Sequence, residues 1–465
     1  MRLSTFAVSG YKNIRRRITL EGLAEVNVIH GENNVGKSNL LQAVDLFFGL
    51  VGTTAQRAST PLAKSFLGED DKNTAWLMEG NVVQGVGFHV SKGSLNAMGY
   101  AADDIFHLEE PLPILLEGTV EIRPEDWRLA GESANQGEKV QFVFNITRSH
   151  VGCIDVALPL GRSVPTGAPF GPFNDHEVAW ERLRKVADLI ARGFSLRTGS
   201  RASSFALIDV FRRVAAIDEL TEEDARRIVP LSLLLGLYDA KESVEPGVFQ
   251  RWEIFERAMG SLGNLVGGGR FVVTYNRKSG RAYLAVQKGR MRLTIENMGT
   301  GVQQIASLLA RALLCNSAIV AIEEPELSLR YDLQLRLGSI LREVVDSGLG
   351  PQQMIMCSHS PAFETGNTFY AMTMTPEGPV IEQRPVREAP AFLQVELGVQ
   401  VPAESGAFGY VSSDGLLRLP GDTCAELGVV GGGGVVVMKR KGHEYVEILS
   451  NERFLKLLHA KGQNE

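Results

Sequence analysis

Apolar positions change their period several times along the chain, and each change marks a different kind of element. Val26 to Ile29 is a short unbroken apolar run, and Asn39 to Phe48 carries apolar residues at helical spacing, which predicts a buried strand, a turn and a helix. Ile114 to Trp127, Val140 to Ser149 and Cys153 to Leu158 read as antiparallel strands. From Glu177 to Met259 the spacing becomes helical, with breaks at Gly193 to Ser200, Asp218 to Thr221 and Glu242 to Gly247. Further on, Ile305 to Leu314 reads as a helix and Ala318 to Ile322 as an apolar strand. A helix over Tyr331 to Val345 and a strand over Met354 to Cys357 follow. The chain is expected to be α/β.

Length and charge narrow the class. With 465 residues there is room for two to three compact units, and 44% apolar residues suffice for real cores. The net charge of −6 does not demand a nucleic-acid partner for the whole molecule, although local basic patches remain open. Met1 leads directly into strand-like sequence, and no apolar run approaches the ~18 residues of a membrane span. A cytoplasmic protein without a membrane partner is expected. Cys153, Cys315, Cys357 and Cys424 lack paired spacing and read as reduced core thiols.

The strand and helix near the N-terminus flank Gly31-Glu32-Asn33-Asn34-Val35-Gly36-Lys37-Ser38, which fits G-x-x-x-x-G-K-[ST] without a mismatch. A glycine-rich turn opening a helix turns backbone N–H groups and a positive dipole end toward phosphates. Lys37 would reach the β- and γ-phosphates, and the Ser38 hydroxyl would hold Mg²⁺. Gly31, Asn33, Asn34, Gly36, Lys37, Ser38 and Asn39 are the candidate nucleotide contacts. Ala318 to Ile322 runs into Glu323-Glu324-Pro325-Glu326, so a strand buried on both faces delivers carboxylates to its C-terminal edge. Glu323 is the candidate Mg²⁺ ligand through water, and Glu324 the base that orients the attacking water.

Two more segments frame these. Asn297 to Gln304 precedes the helical run Ile305 to Leu314 and presents a hydroxyl and a bare backbone amide, Thr300 and Gly301, as a second phosphate-binding edge. Its bland alternative is a glycine-containing helix start. The strand Met354 to Cys357 ends in Ser358-His359-Ser360-Pro361, where His359 reads as a switch residue or as part of a capped strand end.

The order of these four elements resembles ATP-binding-cassette-type ATPases of the RecF, SMC and OLD (overcoming lysogenization defect) group, over roughly residues 1 to 390. Phe6 to Ile14 is similar to the group's N-terminal strand, Glu323 to Glu326 to its E-E-P-E motif, and Gly299 to Gln304 to its divergent signature. The resemblance implies a P-loop ATPase head that uses ATP and Mg²⁺ and binds the nucleotide between two heads. Thr300 and Gly301 would then contact the γ-phosphate held by another subunit, while His359 contacts it in cis. Glu323 replaces the aspartate usual in transporter cassettes, and the glutamine loop has no evident position.

The expected architecture is an ATPase head with an antiparallel β-lobe, a helical insertion and a small C-terminal β domain. Its boundaries are 1–176 and 269–390 for the two head halves, 177–268 for the insertion, 391–410 for a linker and 411–465 for the last domain. No long heptad run extends the insertion. It carries Arg182, Arg184, Lys185, Arg192, Arg197, Arg201, Arg212 and Arg213, either a solvated face or a contact zone for DNA phosphates. OLD nucleases continue into a metal-binding TOPRIM domain, and the carboxylate pattern for it is missing here. Instead, Asp414 to Pro420, Glu426 to Val429, Gly431 to Met438 and Tyr445 to Ile448 resemble the swapped-hairpin domain of AbrB and MazE-type proteins, or form an ordinary β-hairpin tail. Two functions fit. One is a sensor ATPase of a bacterial anti-phage module, a homodimer or higher oligomer controlling a separately encoded effector such as a nuclease. The other is a RecF-like repair ATPase that clamps DNA directly.

Overall fold

Alternation of buried and half-buried positions builds the first sheet. β1 (Arg2–Ser9), β2 (Ile18–Leu20), β4 (Thr74–Glu79), β5 (Val82–Val90), β6 (Ile114–Ile122), β7 (Glu138–Arg148) and β8 (Ile154–Pro159) pair in the order β2-β1-β6-β7-β8-β5-β4, all antiparallel. In β6 every second residue is buried, as expected where one face packs on a core and the other meets solvent. The computed structural model describes residues 1–58, 74–79, 82–107, 112–129, 137–149, 152–159, 185–191, 204–209, 229, 231–262, 268–315, 317–363, 368–386, 410–411, 417–418, 435–439 and 446–450.

The second sheet reads as unbroken apolar runs because both of its faces are covered. β3 (Val26–Gly31), β9 (Phe205–Ile208), β13 (Ile319–Glu323), β14 (Gln353–Ser358), β15 (Thr368–Thr375) and β16 (Gly378–Pro385) run in the order β16-β15-β3-β14-β13-β9. Neighbours are parallel except at the β15–β16 hairpin. Every residue of β13 and β14 is buried. Their side chains alternate between two cores: Ile319, Ala321, Ile355 and Cys357 enter one, and Val320, Ile322, Met354 and Met356 the other. Gln353 joins the two sheets, donating to the carbonyls of Leu3 (2.8 Å) and Ala24 (2.9 Å) and accepting from Leu3 N–H (2.8 Å).

Helix α1 (Lys37–Ala58) lies between the sheets, with Leu40, Leu41, Val44, Phe47, Phe48 and Val51 at helical spacing. Phe47 meets Phe6, Phe142 and Phe144 edge-on at 5.8, 6.4 and 5.7 Å. Phe48 stacks flat on Phe205 of β9 at 5.1 Å. Gly118 is required for this approach, since a Cβ there would lie 2.5 Å from the Phe47 ring. Truncating Phe47 would leave a cavity costing about 3–5 kcal/mol. The other core is closed by α2 (Leu231–Glu242), α3 (Pro246–Ser261), α4 (Thr300–Leu314) and α5 (Tyr331–Asp346). A three-stranded antiparallel sheet of β10 (Arg270–Asn276), β11 (Arg281–Lys288) and β12 (Met291–Thr294) joins them.

Several elements depart from the sequence reading. The strand expected to reach Trp127 ends at Ile122, because Pro124 opens a short helix, Pro124–Leu129, whose first turn is held by Arg123 N–H donating to Asp126 (2.8 Å). Within the stretch read as helical, Phe205–Ile208 is a strand paired in parallel with β13. Four consecutive apolar residues suit either state, and only the neighbouring strand chooses between them. The break at Glu242 to Gly247 falls between α2 and α3; those at Gly193 to Ser200 and Asp218 to Thr221 lie outside the described residues, as do Arg182, Arg184, Arg192, Arg197, Arg201, Arg212 and Arg213. α1 runs ten residues past its expected end at Phe48.

Two compact units divide the chain, Met1–Ala389 and Pro390–Glu465. In the second, Val435–Lys439 pairs antiparallel with Val446–Ser450, and Tyr410–Val411 with Leu417–Arg418. Among the described residues no helix is long and apolar enough to cross a membrane.

Candidate active site

Parallel strands bring the four sequence-distant segments to one edge of the central sheet. β3 lies beside β14, and β14 beside β13, so the loops after Gly31, Glu323 and Ser358 are neighbours at the carboxyl ends of their strands. Register places Glu323 opposite Cys357 and Ser358 opposite His30.

The loop after β3 has little conformational choice. A Cβ on Gly31 would stand 2.4 Å from the Met372 carbonyl oxygen, and Asn34 and Gly36 hold φ of +64° and +109°. Gly36 gives way to Asn13, whose side-chain amide would be 2.7 Å from an added Cβ. Asn13 Nδ2 donates to the Val35 carbonyl (3.2 Å), and its Oδ1 accepts from Asn39 Nδ2 (2.8 Å). Asn13 therefore braces the loop from the N-terminal strand region, a role its place in the sequence did not suggest. Asn39, named as a nucleotide contact, turns its side chain to this brace. Asn33 is exposed in the turn.

Lys37 is buried at 6% exposure, and its ammonium donates to the carbonyls of Gly31 (2.6 Å) and Glu32 (2.8 Å). The same Nζ stands 3.5 Å from His359 Nδ1, while His359 Nε2 is 3.9 Å from Glu324 Oε1. Lys37, His359 and Glu324 thus form one line across the loop ends. Burial and then the Lys37 charge push the His359 pKa below its ordinary value, against the opposing pull of Glu324, so the neutral imidazole is favoured. Glu324 sits at φ +42°, a strained conformation for a side-chain-bearing residue, fixed by its N–H donating to the Cys357 carbonyl (2.9 Å).

Glu326 holds the histidine segment in place. Its carboxylate accepts from His359 N–H (2.6 Å) and Ser358 Oγ (2.9 Å), although burial raises its pKa. Ser360 donates to Gln334 Oε1 on α5 (2.6 Å), and Gln334 Nε2 donates to the Leu329 carbonyl (2.8 Å). Neither partnership was legible from spacing. Behind the loop, His30 is fully buried with Nδ1 on the Ser358 carbonyl (2.9 Å), and burial lowers its pKa to about 4.

The donor set suits Mg²⁺. Glu323 is a carboxylate at 5% exposure, beside Cys357 in register, and the Cys357 thiol donates to the carbonyl of Lys37, the residue before Ser38 (3.7 Å). A carboxylate and a hydroxyl are hard oxygen ligands of the kind Mg²⁺ takes alongside waters and phosphates. Ser38 and Glu323 would hold the ion, which when bound neutralises charge on the β- and γ-phosphate oxygens.

Thr300 and Gly301 occupy a second helix start, that of α4. Its cap, Gly299, makes no side-chain hydrogen bond, and Gly299 and Thr300 are exposed. Gly301 packs on α5: a Cβ there would lie 3.2 Å from Leu333 and 3.4 Å from Leu329. The structure thus gathers Lys37, Glu323, Glu324 and His359 at one edge, while at the start of α4 Thr300 is exposed and Gly301 is half-buried against Leu329 and Leu333.

Residues 232–363 match the family model of an AAA ATPase domain, a span that holds α4, the Glu323 strand and His359 but begins after the Gly31 to Ser38 loop. The chain thus carries an ATPase domain. None of the curated proteins matches it. Among solved structures it is similar to the SMC head domain from Thermotoga maritima, at 16% identity and TM-score 0.42 over 83% of this chain and 100% of that one. It is also similar to an Smc head bound to the C-winged helix domain of ScpA, at 14% identity and TM-score 0.46 over 84% and 99%. A third is an Smc head with an extended coiled coil, bound to the C-terminal domain of ScpA from Pyrococcus furiosus, at 10% identity and TM-score 0.44 over 84% and 98%.

Proposed function

We propose that this chain binds ATP and Mg²⁺ at the Lys37 edge and closes the site with Thr300 and Gly301 of a second copy. It then hydrolyses ATP with Glu324 as the base. The observation that carries this reading is the line from Lys37 through His359 to Glu324, at 3.5 and 3.9 Å, between a phosphate loop and a buried carboxylate. Glu324 and the neutral His359 would orient water and sense the γ-phosphate. Catalysis of this kind is positioning plus electrostatics, with little covalent work for the protein.

Hydrolysis with no second reaction centre in the sequence pattern points to motion or assembly as its output. The chain is read as the ATPase of a cytoplasmic bacterial anti-phage module, controlling a separately encoded effector such as a nuclease. The competing RecF-like clamp draws support from the basic stretch between Arg182 and Arg213. The C-terminal unit, with its Val435–Lys439 and Val446–Ser450 hairpin, would keep two copies at high effective concentration between cycles.

Light scattering coupled to size exclusion tests the pairing. Glu324→Gln protein with ATP and Mg²⁺ is expected to run as an engaged dimer, and truncation after Gly409 to make pairing depend on nucleotide. A Glu324→Gln protein truncated after Gly409 that stays monomeric with bound ATP overturns the shared site. An unchanged mass of the truncated chain without nucleotide overturns the role of the C-terminal unit.

A further inference from the structure

The peptide between Ser358 and His359 is clamped at both ends. Its N–H donates to Glu326 Oε1 (2.6 Å), and its carbonyl oxygen lies 2.9 Å from His30 Nδ1. A carbonyl only accepts, so Nδ1 carries the proton and Nε2 is left with its lone pair. His30 is fully buried, its ring edge-on to Phe369 at 5.4 Å, and Nε2 has no hydrogen-bond partner among the described residues. An unpaired buried acceptor costs stability. Phenylalanine or leucine would fill the same space without that cost, so packing alone gives no reason for an imidazole here. What the imidazole adds is the donor at Nδ1.

His30 also sits where such a donor has leverage. It immediately precedes Gly31, whose carbonyl accepts from Lys37, and it stands opposite Ser358 in the β3–β14 register. One side chain therefore ties the strand of the phosphate loop to the residue before His359. From this geometry we infer that His30 is a positioning residue, which holds the Ser358–His359 peptide so that the His359 ring stays between Lys37 and Glu324. This role rests on the ATPase reading above and deepens it. His359 meets Lys37 at 3.5 Å and Glu324 at 3.9 Å, and the direction in which its ring leaves the backbone follows the plane of that peptide. With the carbonyl end released, Glu326 alone holds the peptide and the ring can swing. Small displacements cost large factors in rate where catalysis is positioning. Burial lowers the His30 pKa to about 4, so the neutral tautomer that donates from Nδ1 persists through the neutral range.

The test follows kcat, affinity for a fluorescent ATP analogue and thermal midpoint in variants of the full chain. His30→Asn keeps a donor where Nδ1 stood and loses the ring packed on Phe369. His30→Phe keeps a ring and loses the donor, and His30→Leu loses the donor without the larger ring. His30→Phe and His30→Leu should lower kcat roughly tenfold, with affinity within about twofold of the parent. His30→Asn should melt several degrees below the parent yet recover kcat to within about threefold. A rate that follows the donor, against the order of the thermal midpoints, is something a merely structural histidine does not produce. A kcat that falls in step with the thermal midpoint, leaving His30→Asn the slowest, overturns the inference, as does a parent-like kcat in His30→Phe and His30→Leu. An affinity loss as large as the loss in kcat also overturns it, and assigns His30 to the phosphate loop instead. Each of those results is read against a parent that turns over ATP, so it strikes the role of His30 alone. A parent chain that neither binds nor hydrolyses ATP overturns the ATPase reading and this role with it.

Discussion

Two glycine-bearing helix starts, at Gly36 and at Gly299, present backbone amides in the same chemical way, yet the structure treats them oppositely. The first is braced from several sides: Asn13 fills the space over Gly36, Lys37 folds onto loop carbonyls, and Glu326 fixes the histidine facing it. The second has no side-chain cap, and its Gly299 and Thr300 face solvent. A phosphate site that works within one chain must have its geometry imposed by that chain, because its donors otherwise lose their orientation.

The largest test of this contrast removes the charge at the braced end. Lys37→Ala should abolish ATP binding, while Glu324→Gln should retain it and slow turnover ~10²-fold or more. Nucleotide binding and phosphate release measured side by side separate the two; near-normal turnover in Glu324→Gln would show that another group is the base. At the open end, Gly301→Asp should leave ATP binding by the chain intact and cut hydrolysis by roughly tenfold or more, since a carboxylate would face the γ-phosphate from the partner. Its new side chain also presses on Leu333 and Leu329, so a thermal melt must accompany the assay. Normal turnover in Gly301→Asp sinks the idea that this helix start completes the site.

Smaller effects probe the bracing itself. Glu326→Ala leaves His359 N–H and Ser358 Oγ without their acceptor and should cost about 1–3 kcal/mol of stability with a loss in kcat. Glu326→Gln, which keeps one acceptor oxygen, should recover most of both; equal damage from the two variants would mean that the charge, not the hydrogen bond, matters. Asn13→Ala removes the loop brace and should raise KM for ATP severalfold at a stability cost of about 1 kcal/mol, read from a denaturant titration.

The smallest effect is a pH slope carried by the same half of the molecule. His30 has a folded pKa of about 4 against 6.5, so the unfolded chain binds more protons between those values, and this stabilisation is lost as pH falls through that window. Asp45 on α1, raised by burial to about 6 from 3.8 and bonded to Tyr100 (2.6 Å), works the other way, losing stability as pH rises through its window. The two slopes oppose each other between about pH 4 and 6. Asp45→Asn should therefore stabilise the protein near pH 7 by about 1 kcal/mol and steepen its acid loss. A denaturant series at pH 5 and pH 7 checks it, and an unchanged difference between the two would show that Asp45 titrates as an ordinary carboxylate.

Legibility followed sequence distance. Strand, loop and helix around Gly31 to Ser38 are consecutive, so their pattern reports local geometry directly. Ile319 to Glu323 and Gln353 to Ser358 were readable as strands for the same reason: burial on both faces leaves an unbroken apolar run. Phe205 to Ile208 was misread because its partner, β13, lies more than a hundred positions away.

The sequence by itself determined which residues could carry phosphate chemistry and in what order they come, because residue type and helix or strand period are local properties. Tertiary structure alone decided that Asn13 braces Gly36, that Glu326 holds His359, and that α1 is clamped between two sheets through Phe47 and Phe48. Each of these is a contact between segments far apart in the chain. Such contacts are selected by packing of the whole core, and no local window encodes that.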